Sequence, residues 1–171
     1  MVHFAGSGGT AGKFSYQEYV VQDYYALSIK YYLTLCTIFF LFITLEYLLE
    51  HSAENGLNLV EFPLVICFAL FFMLLLVSSY NLFGAYLSLE GLTFSLYILA
   101  GLSCNSQGSQ EAGLKYFCLG GLSSGFLLYG IALVFIITKT LNFSALKYVF
   151  NSLAELPLIL SFALIFIFFG F

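Results

Sequence analysis

Apolar residues run through this 171-residue chain in five long blocks, near 31–49, 60–79, 82–102, 112–138 and 153–171, with polar residues gathered in the gaps. Each block holds about the 20 residues that an α-helix needs to cross ~30 Å of hydrocarbon. No stretch alternates with the period of two that marks a half-buried strand. Pro63 and Pro157 fall in the first turn of their blocks, where a missing N–H loses no helical bond. The pattern predicts an all-α integral membrane protein of about five transmembrane helices. Short connections (HSAENGLN, YN, CNSQGSQE) make sequential helices antiparallel neighbours. In the longer connection KTLNFSALKYVFNS, Phe143, Leu146, Val149 and Phe150 recur at helical spacing, which predicts a short amphipathic helix in the membrane interface. Ahead of the first block lies a polar segment, 1–30, Gly-rich at its start. Its GSGGTAGKF is not a phosphate-binding loop, because Ser7 and Phe14 stand where that motif needs Gly and Ser or Thr.

Composition turns this pattern into a class. The chain is 61% hydrophobic and 8% charged, whereas a soluble domain carries about a quarter charged residues. A net charge of −4 offers no basic surface, so no nucleic-acid partner is expected. The five bases are all lysines: Lys13, Lys30, Lys115, Lys139 and Lys147. Arginine and tryptophan are absent, and the bias towards Phe, Tyr, Ile and Lys fits an AT-rich organellar genome. Cys36, Cys67, Cys104 and Cys118 lack CxxC spacing and read as small buried hydrophobes. His3 and His51 stand alone, and neither a metal nor a cofactor is expected in this chain. With five spans, Lys13, Lys30, Lys139 and Lys147 fall on the side of the amino terminus. Glu46, Glu50, Glu54, Glu61 and Glu111 fall opposite, with Lys115 beside them. The positive-inside rule then places the amino terminus in the matrix or cytoplasm.

Two ionisable residues break the apolar blocks. Glu90 has about two apolar turns on each side, and an intramembrane charge costs roughly 2.5–3.5 kcal/mol on insertion scales. Desolvation favours its neutral form. One reading is a protonated carboxyl bonding a neighbouring helix; the other is a proton-handling group. Lys115 lies about one turn inside its block, where it can snorkel and pair with Glu111 at i,i+4. A helix beginning near Ser106 would carry it deeper, and a Glu90–Lys115 couple on adjacent helices would then act as a charge switch. The fourth block is rich in small residues, including the Gly121–Gly125 pair, a spacing that lets helix backbones approach in lipid.

The segments EFPLVICFALFFMLLLVSSYNL, AYLSLEGLTFSLYILAG and EAGLKYFCLGGLSSGFLLYGIAL, consecutive across about 61–133, resemble the antiporter-like membrane subunits of respiratory NADH:ubiquinone oxidoreductase (complex I), subunit 2 in particular. NFSAL (142–146) fits as well, while residues 1–30 match nothing in that family. The resemblance implies part of an antiporter-like bundle, with Glu90 of the LSLE segment and Lys115 of the EAGLKYF segment on the proton-translocation path. It implies other membrane-arm subunits of complex I as partners, no redox centre in this chain, and a multi-pass place in the mitochondrial inner membrane. Family members continue into a broken helix with another central lysine, in a segment like GFKxSxxPFHxW. The last helix here is thus expected to end at that break, with a second polypeptide completing a split subunit. The family's arrangement starts the first span on the intermembrane-space side, against the lysine count. It takes precedence, because a handful of lysines does not orient helices assembled in a large complex. The alternative function is a subunit of a cation/proton antiporter complex without NADH chemistry.

Overall fold

The structure is a computed structural model that describes residues 23–55, 60–103, 106–152 and 158–171. Residues 1–22, with His3 and Lys13, therefore lie outside the described residues, as do the side chains of Glu50, His51 and Glu54. Six helices follow in order: α1 (Tyr24–Asn55), α2 (Glu61–Ser78), α3 (Leu82–Ala100), α4 (Gln107–Thr138), α5 (Phe143–Ser152) and α6 (Leu158–Gly170). The all-α class holds, and among the described residues four helices, α1 to α4, are long and apolar enough to cross a membrane. The fifth expected span appears as α6, 13 described helical residues. At about 1.5 Å per residue that is roughly 20 Å, less than the hydrocarbon thickness; residues 153–157 of that block are not described.

Two helices overrun the apolar blocks. α1 starts at Tyr24 rather than 31, because Asp23 O accepts from Leu27 N at 2.9 Å and opens the ladder. Ser28 then bonds back to the Tyr24 and Tyr25 carbonyls at 3.0 and 2.9 Å, so the polar residues there are absorbed by the helix. α4 starts at Gln107 rather than 112, since hydropathy registers the lipid boundary and not the end of the hydrogen-bond ladder. Ser109 Oγ donates to Ala100 O at 2.8 Å, which satisfies an orphan carbonyl at the end of α3 and joins the two helices across their turn.

The helices pack as antiparallel neighbours, and glycine sets how closely. A Cβ on Gly91 of α3 would overlap the Phe72 ring of α2. Between α3 and α4, a Cβ on Gly113 would stand 2.9 Å from Gly101 Cα, and one on Gly120 would overlap the Tyr97 phenol. Between α4 and α6, a Cβ on Gly130 would come within 2.9 Å of Ala163 O and 2.7 Å of Ile167 Cγ1. A Cβ on Gly121 or Gly125, the pair at GxxxG spacing, would meet nothing within 4 Å, so neither sets a helix approach among the described residues.

The core is small and sits between α4, α5 and α6: Val134, Leu146, Leu160 and Ala163, flanked by Leu82, Leu133, Ile137, Phe150 and Ile167. α5 is the short amphipathic helix that the sequence pattern predicts: its Leu146 is buried against the bundle while Lys147 and Tyr148 are exposed. Elsewhere the surface is apolar, with Phe39, Phe42, Phe68, Phe117, Leu119 and Phe169 all exposed, as expected where the surrounding medium is lipid or other membrane helices. The cysteines follow suit. Cys36, Cys67 and Cys118 are free and exposed, not buried as expected, because an apolar side chain gains nothing from facing inward when the solvent is itself apolar. Cys104 lies outside the described residues.

One end of the bundle is locked by a polar clasp. Asn81 caps α3, accepting from Phe83 N at 2.9 Å, and its Nδ2 donates to Asn142 Oδ1 at 3.1 Å. Backbone bonds Leu82 N to Leu141 O (2.9 Å) and Phe143 N to Tyr80 O (3.3 Å) make the same two segments an antiparallel bridge. α4 reaches this clasp through Lys139, which closes the helix in the left-handed region at φ 56. The Thr138 hydroxyl lies 2.8 Å from both the Val134 and Thr140 carbonyl oxygens. Lys30, Lys139 and Lys147 all lie at this end, and Glu46, Glu61, Glu111 and Lys115 lie towards the other, as the sequence pattern predicts.

Two outcomes follow for unfolding in detergent. Gly130→Val should lower stability by about 1–3 kcal/mol, because the added atoms meet α6 backbone, while Gly121→Ala should change it by less than about 0.5 kcal/mol. Asn142→Ala should cost about 1 kcal/mol for its hydrogen bond. Asn81→Ala should cost about 1 kcal/mol more than that, since it also removes the cap of α3.

Candidate functional site

Glu90 is the ninth of the 19 residues of α3, so helix geometry carries it to mid-height of the bundle. It is half-buried. Its backbone carbonyl accepts from Thr93 Oγ1 at 3.0 Å, but among the described residues its carboxylate has no hydrogen bond or ion pair. The neighbouring hydroxyls are already spent on their own helix: Ser88 on Gly84 O at 2.8 Å and Ser95 on Gly91 O at 2.9 Å. Ser88 and Ser95 are buried, and such back-bonding is how a hydroxyl is satisfied in an apolar span. Glu90 is thus an open ionisable group among closed ones.

One turn before it, Tyr86 lies within electrostatic reach of Glu90 and near the Ser124 hydroxyl on α4. Tyr86 also lines an apolar cavity of about 280 Å³ with Leu89, Leu127, Ile131, Ile167 and Phe171. The wall of that cavity confirms the direction of the Tyr86 side chain: towards α4 and α6. Sequence reading missed Tyr86 and Ser124 as part of this site. The i,i+4 spacing of Tyr86 and Glu90 was available, but Ser124 belongs to a row of small residues that gives no sign of which member faces α3.

Lys115 is the ninth of the 32 residues of α4, deeper in its helix than the apolar block alone implies. It pairs with Glu111 at 2.5 Å, and both side chains are about two-thirds exposed, at 68% and 66%. The register of α3 against α4 sets the relation to Glu90. Gly101 lies opposite Gly113, and Tyr97 lies against Gly120 with its ring edge-on to Tyr116 (4.7 Å) and Phe117 (5.8 Å). Lys115 therefore sits at the level of Tyr97 to Gly101, and Glu90 is seven to eleven residues back along α3, about 10–16 Å at the helical rise. The structure does not bring the two groups together: Lys115 is exposed, two residues and so about 200° round α4 from Gly113, which faces α3, and its direct partner is Glu111.

A second apolar cavity, about 450 Å³, lies between α1, α2 and α3 against Leu33, Val65, Met73 and Leu99. Its lining holds no acid or base; Cys36, Thr37 and Ser95 are its polar members. Among the described residues no group of His, Cys, Asp and Glu is placed to hold a metal ion.

Residues 79–171 match the family described as NADH:quinone oxidoreductase/Mrp antiporter, TM. Among curated relatives, NADH-quinone oxidoreductase subunit N of Rhodobacter capsulatus is 40% identical over 121 residues, 71% of this chain and 25% of that protein. Subunit N of Jannaschia sp. (strain CCS1) is 33% identical over 167 residues, 98% of this chain and 34% of that protein. The chain thus spans about a quarter to a third of the length of these relatives, which are bacterial and carry the name subunit N rather than subunit 2. Among solved structures, the archaeal membrane-bound sulfane sulfur reductase, a respiratory membrane complex, aligns over 72% of this chain and 25% of its own, with TM-score 0.61 and 26% identity. Respiratory complex I of Thermus thermophilus shares the fold over 85% of this chain and 42% of its own, with TM-score 0.54 and 24% identity. The family match covers more than half of the chain, and the helical fold agrees with it: the chain belongs to the NADH:quinone oxidoreductase/Mrp antiporter transmembrane family.

Proposed function

We propose that this chain is part of a proton-translocating membrane-arm subunit of an NADH–quinone oxidoreductase, with Glu90 and Lys115 as stations on its proton path. The observation that carries this reading is the open carboxylate of Glu90 at mid-height of α3, in a span whose other polar groups are closed by hydrogen bonds. A carboxyl kept at that depth without a partner is poised to exchange a proton rather than to brace a helix. Lys115 differs: its ammonium is held by Glu111 on its own helix. In this reading a proton moves between the two levels along the α3–α4 seam through ordered water, and the Glu111 bond is what Lys115 exchanges when its charge is drawn inward. NADH oxidation and quinone reduction take place in other subunits, and the redox energy arrives as a change in which partner each charge holds.

The setting we propose is subunit 2 of a mitochondrial complex I, in the inner membrane. It rests on the family motifs and on a lysine-only, Phe- and Tyr-rich composition. The relatives that support the oxidoreductase are bacterial subunit N proteins. A second reading has a specific support: the family description spans Mrp antiporters too, so a cation/proton antiporter complex without NADH chemistry would use the same two residues. Co-purification with flavin and iron–sulfur subunits separates the two.

Replacing Glu90 with Gln in the assembled complex should abolish or strongly reduce NADH-driven proton translocation while uncoupled quinone reduction and assembly persist. Unchanged translocation would remove Glu90 from the path and with it this reading.

A further inference from the structure

The α3–α4 seam contains one polar contact near Glu90 that the two-station reading does not use. Tyr86 projects from α3 towards α4, since it shares a cavity wall with Leu127 and Ile131. Ser124 is three residues before Leu127, hence on the face of α4 that Tyr86 projects towards, and it is near enough to act on the Tyr86 phenol. Ser124 Oγ in turn donates to Gly121 O at 3.1 Å, so the serine is held by its own helix and can accept from the tyrosine. Glu90, four residues after Tyr86, lies on the same stripe of α3 and within electrostatic reach of its hydroxyl. Tyr86 thus stands between a fixed acceptor and an open carboxylate in surroundings that are otherwise apolar.

From this arrangement we infer that Tyr86, steadied by Ser124, is a positioning residue for Glu90. A phenol both donates and accepts. While Glu90 is ionised, the Tyr86 O–H can donate to the carboxylate; while Glu90 is protonated, the same O–H returns to Ser124 Oγ. No covalent bond changes, and the proton that Glu90 takes up or releases comes from the path, not from the phenol. The consequence is a carboxylate whose side-chain conformation depends on its protonation state. It is held at Tyr86 when charged and is free to turn along the α3–α4 seam when neutral. The cavity beside Tyr86 gives the ring room to make that small movement without displacing backbone. The site would otherwise have no donor for the charged form, because Ser88 and Ser95 are committed to Gly84 and Gly91 carbonyls.

The inference rests on Glu90 being on the proton path, so the test includes Glu90→Gln as its reference. Tyr86→Phe removes a single oxygen and keeps the ring that lines the cavity. In the assembled complex it should leave uncoupled NADH–quinone reduction intact and slow proton translocation roughly tenfold, the effect expected for losing one hydrogen bond to a charged group. In infrared difference spectra, the carbonyl stretch that Glu90→Gln abolishes should shift in Tyr86→Phe, a change that altered packing alone would not produce. Ser124→Ala should shift the same band with a smaller loss of translocation. If Tyr86→Phe fails to assemble, Ser124→Ala with the same two readouts decides. An unshifted Glu90 band with normal translocation in both variants, while Glu90→Gln stops translocation, overturns the inference and leaves the proposed function standing. Normal translocation in Glu90→Gln overturns both.

Discussion

In hydrocarbon no water is available to hydrogen-bond a backbone or side-chain polar group, and this one condition governs the rest of the molecule. It makes the chain helical, since only a helix closes its own N–H and C=O groups within one segment. The hydroxyls obey it too: Ser78, Ser88, Ser95 and Thr138 all bond to carbonyls four residues back. Even the ends comply. Ser109 takes the Ala100 carbonyl, and Asn81 and Asn142 satisfy each other while their backbones pair. With the surrounding medium as apolar as Leu and Phe, helices cannot be driven together by hiding those residues. Close backbone approach takes over, which is why Gly91, Gly113, Gly120 and Gly130 sit where helices meet.

The spans were legible in the sequence because they answer to hydropathy alone, and α2 and α3 begin and end within a residue or two of the apolar blocks. Helix ends were less legible where polar residues could be helical too: Tyr24–Lys30 carries on the ladder outside its apolar block, while the start of α4 at Gln107 agrees with the alternative start near Ser106. The small residues identified α4 as a packing helix but not which of them face a neighbour: within this chain the close contacts fall on Gly113, Gly120 and Gly130, because the facing helices decide which side of α4 is covered. The amphipathic pattern of α5 was legible too; what the pattern alone did not give is that Leu146 packs on Val134 and Leu160 while Lys147 stays exposed.

The candidate site divides in the same way. Glu90 and Lys115 stand out from any sequence this poor in charge, and their depths follow from counting residues along α3 and α4. Their relation does not, since it depends on the register of two helices. That register is set by Gly101 against Gly113 and by Tyr97 over Gly120, contacts between residues with no charge at all. The pairing of Lys115 with Glu111, one turn away on its own helix, was available from i,i+4 spacing.

These positions give the two groups different roles before any partner is considered. Lys115 is exposed on this chain and already has a counter-charge, so moving it inward means exchanging Glu111 for something else. An exposed pair of this kind is worth at most about 1 kcal/mol, which makes that exchange inexpensive. Among the described residues Glu90 has no pair to exchange, and its charged form needs a donor that the back-bonded serines cannot supply. On the proposed function the costly step would therefore be charging Glu90, while Lys115 would only exchange a weak, exposed pair. A device that couples distant redox energy to proton movement would have most leverage where the charged form is least satisfied, and on that reading the position is the α3 carboxylate beside Tyr86.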